Sequence, residues 1–424
     1  MTIPNNGHPA HDADGPDPWS RAERAILGEP VERLAAGSML RLCSGVCAAG
    51  AMLIVAAWTV GQAVSDRSWW SQFFAWIPTS AAVAASGTLA VAAEAARRMM
   101  LRACRGVRAS TRLTPIIAVV LGAWLVLAGA FAVLDLGAAR WFTSATARDE
   151  RTFRVVFWNS GAEERGPWAN PIIAADPSLC VLASVINDDQ VVRISHAMTD
   201  DPVNHPVWIF RHDRFIVLSR WRITRAGFLT LAISRGGGLD YRDQGPKRYY
   251  DPGRAMFFEV DFPFPGKIKE PGSLPHQTRV VWVVDLPSDL SLPRAMVTEQ
   301  AARAIAAFRG PTLIMDDRGL WVEEARGSVA GFPPPDLLVG DFNIPRGSWS
   351  IGTLAGMHHP ALEDAWSQAG RSYIATYPRR WPMWHIDQVF VGERFRAVGY
   401  SEFSTGTGTH RAVWSDLVPV DDER

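Results

Sequence analysis

Apolar and polar positions divide this chain into two parts that meet near residue 140. Three runs without a charged side chain, residues 42–65, 68–93 and 113–134, fill the N-terminal third. Each exceeds the roughly 18–20 apolar residues needed to cross a bilayer core. Ala, Gly, Val and Leu dominate them, as where helices pack closely in lipid. The pattern predicts a membrane anchor over residues 42–138 with three transmembrane helices, the second made irregular by Gln72 and Pro78. Residues 1–41 contain Pro, Gly and Asp without an apolar period and are expected to form a disordered cytoplasmic leader. Their length ahead of the first run argues against a secretory signal peptide.

After Thr152 the pattern changes. Short β-branched and aromatic runs at 153–158, 179–185, 215–218, 228–233, 256–262, 279–285, 336–339 and 388–391 read as strands. Residues 294–308 read as an amphipathic helix stopped by Gly310. Many strands with few intervening helices predict an α/β fold, a sandwich of two packed sheets flanked by helices, over residues 152–420. Residues 235–254, with Gly236, Gly237 and Gly238, read as a long surface loop.

Charge adds an orientation. Arg97, Arg98, Arg102, Arg105, Arg108 and Arg112 lie between the second and third runs, and Arg21, Arg24, Arg33 and Arg41 precede the first. Only Arg67, beside Asp66, separates the first from the second. The positive-inside rule then puts the N-terminus and the Arg-rich loop in the cytoplasm. With three spans, the domain after residue 138 is extracytoplasmic on a multi-pass cell-membrane protein, and Trp141 and Phe142 stand at the outer interface. The 43 basic and 43 acidic side chains balance, so charge predicts no nucleic-acid partner, while the 18 Trp suit interface anchors. Of the four Cys, only Cys180 lies beyond the anchor, which excludes an internal disulfide there.

The chemistry concentrates in Val339-Gly340-Asp341-Phe342-Asn343, a strand running into a carboxylate and a carboxamide. Two residues apart on an extended chain, Asp341 and Asn343 point to the same side. There the Asp can activate a nucleophile while the Asn holds a phosphate oxygen. A turn after a strand would favour the same two residue types.

Four segments in order carry a resemblance: Phe153 through Asn159, Asp176 through Leu182, Gly340-Asp341-Phe342-Asn343, and His385-Ile386-Asp387-Gln388-Val389-Phe390. Together they resemble the endonuclease/exonuclease/phosphatase superfamily, and Thr409-His410-Arg411-Ala412-Val413 is similar to its terminal Asp-His-Arg-x-Val block. With three spans ahead of it, the layout is similar to bacterial membrane phosphoesterases associated with glycopeptide-antibiotic resistance. The resemblance implies metal-assisted hydrolysis of a phosphoester with Mg²⁺ or Mn²⁺. By position it implies that Asn159 contacts phosphate or metal, Asp341 orients the nucleophile and Asn343 binds a phosphate oxygen. Asp387 would pair with a metal or a His, and His410 would be the terminal catalytic imidazole.

Three positions depart from that pattern. The family's second strand ends in Gln-Glu, whose Glu is the main metal ligand; here the pair is Ala183-Ser184. Asp285 stands where a His is expected, and Thr409 where an Asp is. A neutral hydroxyl is a poor substitute for a carboxylate toward a hard cation. Asp285, Glu163 and Glu164 are candidates for relocated ligands if they reach the same cleft, or ordinary solvent-facing acids. The other histidines show no metal spacing. Two readings follow: a membrane-tethered phosphoesterase of weakened or lost activity, acting on a phospholipid, isoprenoid-phosphate or nucleotide-like ester, or a pseudoenzyme that binds or interacts at the membrane surface.

Overall fold

The uncharged runs become helices, with one revision. In the computed structural model, which describes residues 18–103, 113–143, 148, 151–199, 201, 206–234, 251–263, 276–316, 318–324 and 330–420, the N-terminal part consists of α1 (Pro18–Val64), α2 (Trp69–Ala75), α3 (Thr79–Ala103) and α4 (Leu113–Leu134). Two of these, over Ala35–Val64 and Leu113–Leu134, are long and apolar enough to cross a membrane. The expected second span is instead broken: α2 and α3 meet at 69°, so they make a third span only if counted as one bent element. Pro78, at the break, lacks the N–H that would continue α2. The leader is revised too, because α1 begins at Pro18, within the segment expected to be disordered. Pro fits a first helical position, and the Arg, Glu, Ala and Leu that follow are good helix formers. Residues 1–17 lie outside the described residues.

The chain divides into two compact units, one comprising the chain up to Val55 with Val83–Val126, the other Ala56–Ala82 with everything from Leu127 onward. In the first unit, Ala48, Ala51, Ala90, Ala93 and Val120 form the packed centre, and Ser44 Oγ donates to the Ala93 carbonyl at 2.9 Å. Side chains this small let helix backbones approach closely.

The second unit contains the strands. In chain order they are β1 (Phe153–Asn159), β2 (Leu179–Ala183), β3 (Trp208–His212), β4 (Phe215–Ser219), β5 (Ile223–Thr230), β6 (Arg254–Pro263) and β7 (His276–Asp285), then β8 (Thr312–Met315), β9 (Trp321–Glu324), β10 (Leu337–Asp341), β11 (Glu363–Asp364), β12 (Asp387–Val391), β13 (Phe395–Phe403) and β14 (Ala412–Pro419). The helices among them are α5 (Ala169–Ala174), α6 (Asp188–Ala197), α7 (Arg294–Ala306), α8 (Ile351–Ala355) and α9 (Ala365–Ala369). A six-stranded sheet runs β13-β14-β1-β2-β4-β3, and an eight-stranded sheet runs β11-β12-β10-β7-β6-β5-β8-β9. Both are mixed: β1 is parallel to β2 and antiparallel to β14, and β10 is parallel to β7 and antiparallel to β12.

Alternation along each strand builds the layers. Val155, Phe157, Val181 and Val217 of one sheet meet Met256, Phe258, Val283, Val339 and Val389 of the other in a shared core. The alternate residues Val156, Trp158, Cys180 and Leu182 face α5 and α6, and Phe257, Trp282, Val284 and Leu338 face α7 and α8. Because both faces of these strands are covered, β2, β4, β10 and β12 are buried throughout and read as continuous apolar runs. The result is the expected α/β sandwich of two mixed sheets with outer helices. Strands β3, β8, β9, β11, β13 and β14 were outside the expected set, and β5 begins five residues earlier than its expected start and ends before Leu231. Residues 235–250 of the expected surface loop lie outside the described residues.

Segment 65–80 belongs to this second unit. Gln72 donates from Nε2 to the Leu290 carbonyl at 3.1 Å and accepts the Arg294 N–H at 3.0 Å. Asp66 accepts the Ser350 N–H at 3.0 Å, and Trp384 Nε1 donates to the Trp76 carbonyl at 2.8 Å. The polar residue that made the second run irregular is therefore a docking contact. On the opposite side of the same short helix, Trp69, Trp70 and Phe73 remain about half exposed.

Candidate active site

Strand ends from both sheets, with one turn, build the site. β1 ends on Asn159, which lies beside Ala183 at the end of β2. In the other sheet Asp341, the last residue of β10, pairs with Asp285 at the end of β7 and with Asp387 at the start of β12. Paired residues on adjacent strands project to the same face. Asp285, Asp341 and Asp387 thus form one row across three strands. His410 enters from the turn before β14, its backbone carbonyl accepting the Trp158 indole N–H at 3.2 Å.

Hydrogen bonds then set the orientations. His410 Nδ1 lies 2.8 Å from Asp387 Oδ2, and its Nε2 lies 3.6 Å from Asp341 Oδ2. Asp341 also accepts Asn159 Nδ2 at 2.9 Å and the Asn343 backbone N–H at 2.9 Å. Asn159 Oδ1 accepts the Gly161 N–H at 3.0 Å, which fixes the amide so that its NH₂ faces Asp341. Asn343 sits in the left-handed region at φ 49° and donates from Nδ2 to the Leu286 carbonyl at 2.7 Å. All five sequence candidates, Asn159, Asp341, Asn343, Asp387 and His410, thus come together at one end of the sandwich. Four of them line a cavity of about 560 Å³, and Asp387 lies behind it, supporting His410.

Burial and like charge set the electrostatics. Burial, reinforced by Asp387, raises the Asp341 carboxyl to about 7 despite the opposing effect of His410. Burial alone would lower the His410 imidazole, but Asp387 and Asp341 outweigh it and raise it to about 9. Burial, then Asp341 and Asp251, push Asp285 well above the usual carboxylate range. These shifts share a sign for stability. An acid or an imidazole whose folded pKa is raised holds its proton more tightly in the native state. For Asp341 the resulting stabilisation is full below about 3.9 and lost as pH approaches 7; for His410 it is full below about 6.5 and lost through 9. In a chelator, the thermal midpoint of the full chain is accordingly expected to fall as pH rises from 5 to 9. A midpoint flat or rising across that window would contradict these assignments.

The three departures have distinct settings. Ser184 follows β2 at φ 57° and lines the cavity. Thr409 also lines it and packs on Gly161, where an added Cβ would lie 2.1 Å from Thr409 Oγ1. Asp285 faces the same cavity as Asp341. The two glutamates considered as relocated ligands do not line it. Glu164 is a brace, accepting Ser160 Oγ at 3.0 Å and the N–H groups of Ile186 and Asn187 at 2.7 and 3.0 Å. The carbonyl of Glu163 accepts the Gly408 N–H at 3.0 Å.

Donor atoms of Asp341, Asp387 and His410 all lie within 4.8 Å of one another, a buried group able to hold a metal ion. The chemistry of the neighbourhood suits a hard divalent cation, which takes oxygen ligands. Asp387 Oδ1 is buried without a hydrogen-bond partner, and the buried carboxylate of Asp285 accepts no hydrogen bond among the described residues. Both are carboxyl oxygens of the kind a hard cation takes as ligands.

Residues 180–415, more than half of the chain, match the family model described as Endonuclease/Exonuclease/phosphatase family. The chain belongs to that family. Its members are generally dependent on divalent metals, in keeping with the buried Asp/Asp/His group. Among solved structures, similar chains include an endonuclease/exonuclease/phosphatase from Beutenbergia cavernae at 18% identity, covering 64% of this chain and 72% of that one, TM-score 0.38. The human Nocturnin catalytic domain with bound sulfate shows 12% identity over 66% of this chain and 98% of its own, TM-score 0.40. A family protein from Bacteroides thetaiotaomicron shows 12% identity over 64% and 98%, TM-score 0.38. No curated protein matches the sequence.

Among the contributors to this family site that were missed in the sequence, two stand out. Tyr377 packs against His410, ring centroids 5.0 Å apart and the planes tilted by 48°. Trp76, some eighty residues before β1, lines the cavity. No local motif announces either one, because each acquires its place only through folding.

Proposed function

We propose that this chain is a membrane-anchored phosphoester hydrolase that works with a divalent cation such as Mg²⁺ or Mn²⁺. The observation that carries the reading is the Asp387–His410–Asp341 chain of contacts, with Asn159 on the far side of Asp341, opening into one cavity. Asp341 accepts a proton from, or orients, the attacking water. Asn159 holds that carboxylate in place, and Asp387 does the same for the His410 ring. His410 presents Nε2–H toward the cavity, where charge grows on phosphoryl oxygens in the transition state. Asn343 keeps a second amide N–H and its Oδ1 for the phosphate or its counter-ion. A divalent cation held by the cavity carboxylates would neutralise phosphate charge and polarise the ester.

The cavity lining supports one substrate class. Trp76, Val185, Ile186, Leu290 and Ile386 give the cavity an apolar share of its lining beside the polar residues. That mixed lining suits an amphiphilic phosphate ester at a bilayer surface, such as a phospholipid or isoprenoid phosphate. The exposed aromatics of α2 suit an interfacial position beside it. With an extracytoplasmic C-terminal domain, the layout corresponds to membrane phosphoesterases of the glycopeptide-resistance type. The balanced charge disfavours a nucleic-acid partner.

A pseudoenzyme is the second reading, favoured by one feature: Ser184 lines the cavity where a metal-binding Glu would be expected. One assay separates the two. The full chain in detergent, supplied with Mn²⁺, is tested on a chromogenic phosphodiester and on a short-chain lipid phosphate. Turnover that chelation removes and manganese restores supports the hydrolase. No turnover above buffer on either class, from folded protein, leaves the pseudoenzyme.

A further inference from the structure

The row of aspartates is unevenly compensated. Asp341 and Asp387 share His410 between them. On the other side of Asp341 stands Asp285, level with it in the parallel pairing of β7 and β10. Asp285 is 4% exposed, and no hydrogen bond reaches its carboxylate among the described residues. In its charged form a carboxylate so deeply buried is costly; it either keeps a proton or is held ionised by a cation that lies against it. Arg254 is tied to Asp213 and, at 3.4 Å, to Asp251. Arg214, which lines the same cavity, offsets part of the charge.

Access distinguishes the two sides of the row. Asp285, Asp341 and Asn343 line the cavity of about 560 Å³; Asp387 does not. An ion arriving from solvent therefore meets the first three. In the Asp341–Asp387–His410 group, by contrast, Asp387 Oδ2 and His410 Nδ1 are already joined at 2.8 Å. The bond from Asn343 Nδ2 to the Leu286 carbonyl leaves Asn343 Oδ1 as an uncommitted acceptor.

We infer that Asp285 and Asp341, with Asn343 Oδ1, form a divalent-cation site at the ends of β7 and β10 in the eight-stranded sheet, across from the end of β2 in the six-stranded one. The carboxylate missing at Ser184 is replaced by one arriving on β7, on the other side of Asp341. A cation of the Mg²⁺ or Mn²⁺ kind commonly uses one or two carboxylates and completes its shell with water, which this oxygen set matches. Asp341 then serves both the ion and His410, coupling the cation to the proton-transfer group. The role of this site in hydrolysis rests on the phosphoesterase reading; its binding of the ion does not.

The test is a Mn²⁺ titration of the full chain in detergent, followed by electron paramagnetic resonance of the free ion. Asp285→Asn is expected to weaken binding at least tenfold, while Asp285→Glu retains most of it and Asp387→Asn changes it less than threefold. A thermal-unfolding scan of each variant checks folding, and a Mn²⁺-induced rise in midpoint in wild type that disappears in Asp285→Asn gives a second readout. Wild-type protein that binds no Mn²⁺, or Asp285→Asn that binds it as wild type does, overturns the site. Hydrolysis measured on the same samples separates the two ideas. Metal-dependent turnover with unaltered binding in Asp285→Asn removes this site and keeps the hydrolase, whereas Asp285-dependent binding without turnover keeps the site and removes the hydrolase.

Discussion

Asp341→Asn is expected to lower kcat/KM on a phosphodiester by about 10²–10⁴-fold, the range typical of losing a positioned acid–base group. Asn preserves the size of the side chain and can still accept the Asn343 N–H on its carbonyl. It removes the negative charge that holds His410 and faces its NH₂ toward Asn159 Nδ2, now 2.9 Å from the wrong kind of partner. The fold should survive, since the buried charge of Asp341 is itself a burden in the metal-free state. The comparison needs steady-state kinetics on wild type and variant at matched Mn²⁺, together with thermal midpoints. Residual activity within tenfold of wild type would remove Asp341 from the chemistry.

A larger structural effect is expected one residue earlier. Gly340 pairs with Val284 in the parallel ladder, and a Cβ added there would lie 2.0 Å from the Val284 carbonyl oxygen. The obstacle is backbone, so no side chain can rotate away. β10 and β7 would have to separate, weakening the ladder that sets Asp341 level with Asp285. Gly340→Ala should therefore destabilise the domain by about 3–5 kcal/mol, at the severe end of single substitutions. For a domain of this size that corresponds to a midpoint lowered by roughly 10 °C. Calorimetry of the full chain in detergent measures it, and a loss under about 1 kcal/mol, the ordinary value for a substitution, would show that the strands tolerate the methyl. The Gly of the Gly-Asp-Phe-Asn segment is thus explained by close strand approach, separately from the chemistry beside it.

The docking of α2 bears on how the cavity is assembled. Gln72 bonds to the carbonyl of Leu290 and to the N–H of Arg294, and Leu290 and Trp76 both line the cavity. Arg294 is fully buried and donates from its guanidinium to the carbonyls of Pro287 and Asp289, holding the loop that carries Ser288 and Leu290. A segment read in the sequence as the start of the second span is therefore part of the wall of the site. An uncharged run reports only apolar content; it does not report that Gln72 has backbone partners more than two hundred residues away.

What the sequence alone determined is what short-range physics determines. Uncharged length specified the helices over Ala35–Val64 and Leu113–Leu134. β-branched and aromatic runs located the buried strands β1, β2, β4, β10 and β12, and a motif two residues apart picked out Asp341 and Asn343. Edge and late strands escaped because their alternation is weak: β3 and β13 mix buried and exposed positions irregularly. Only the tertiary structure decided that Asp285, Asp341 and Asp387 form one row, since register joins strands about fifty residues apart. It also decided that His410 lies between two of those acids and that Asp285 faces the cavity with no hydrogen bond to its carboxylate among the described residues. Periodicity acts over a few residues and is written in local composition. Cross-strand register and the cost of unpaired buried charge exist only once distant segments have excluded water together.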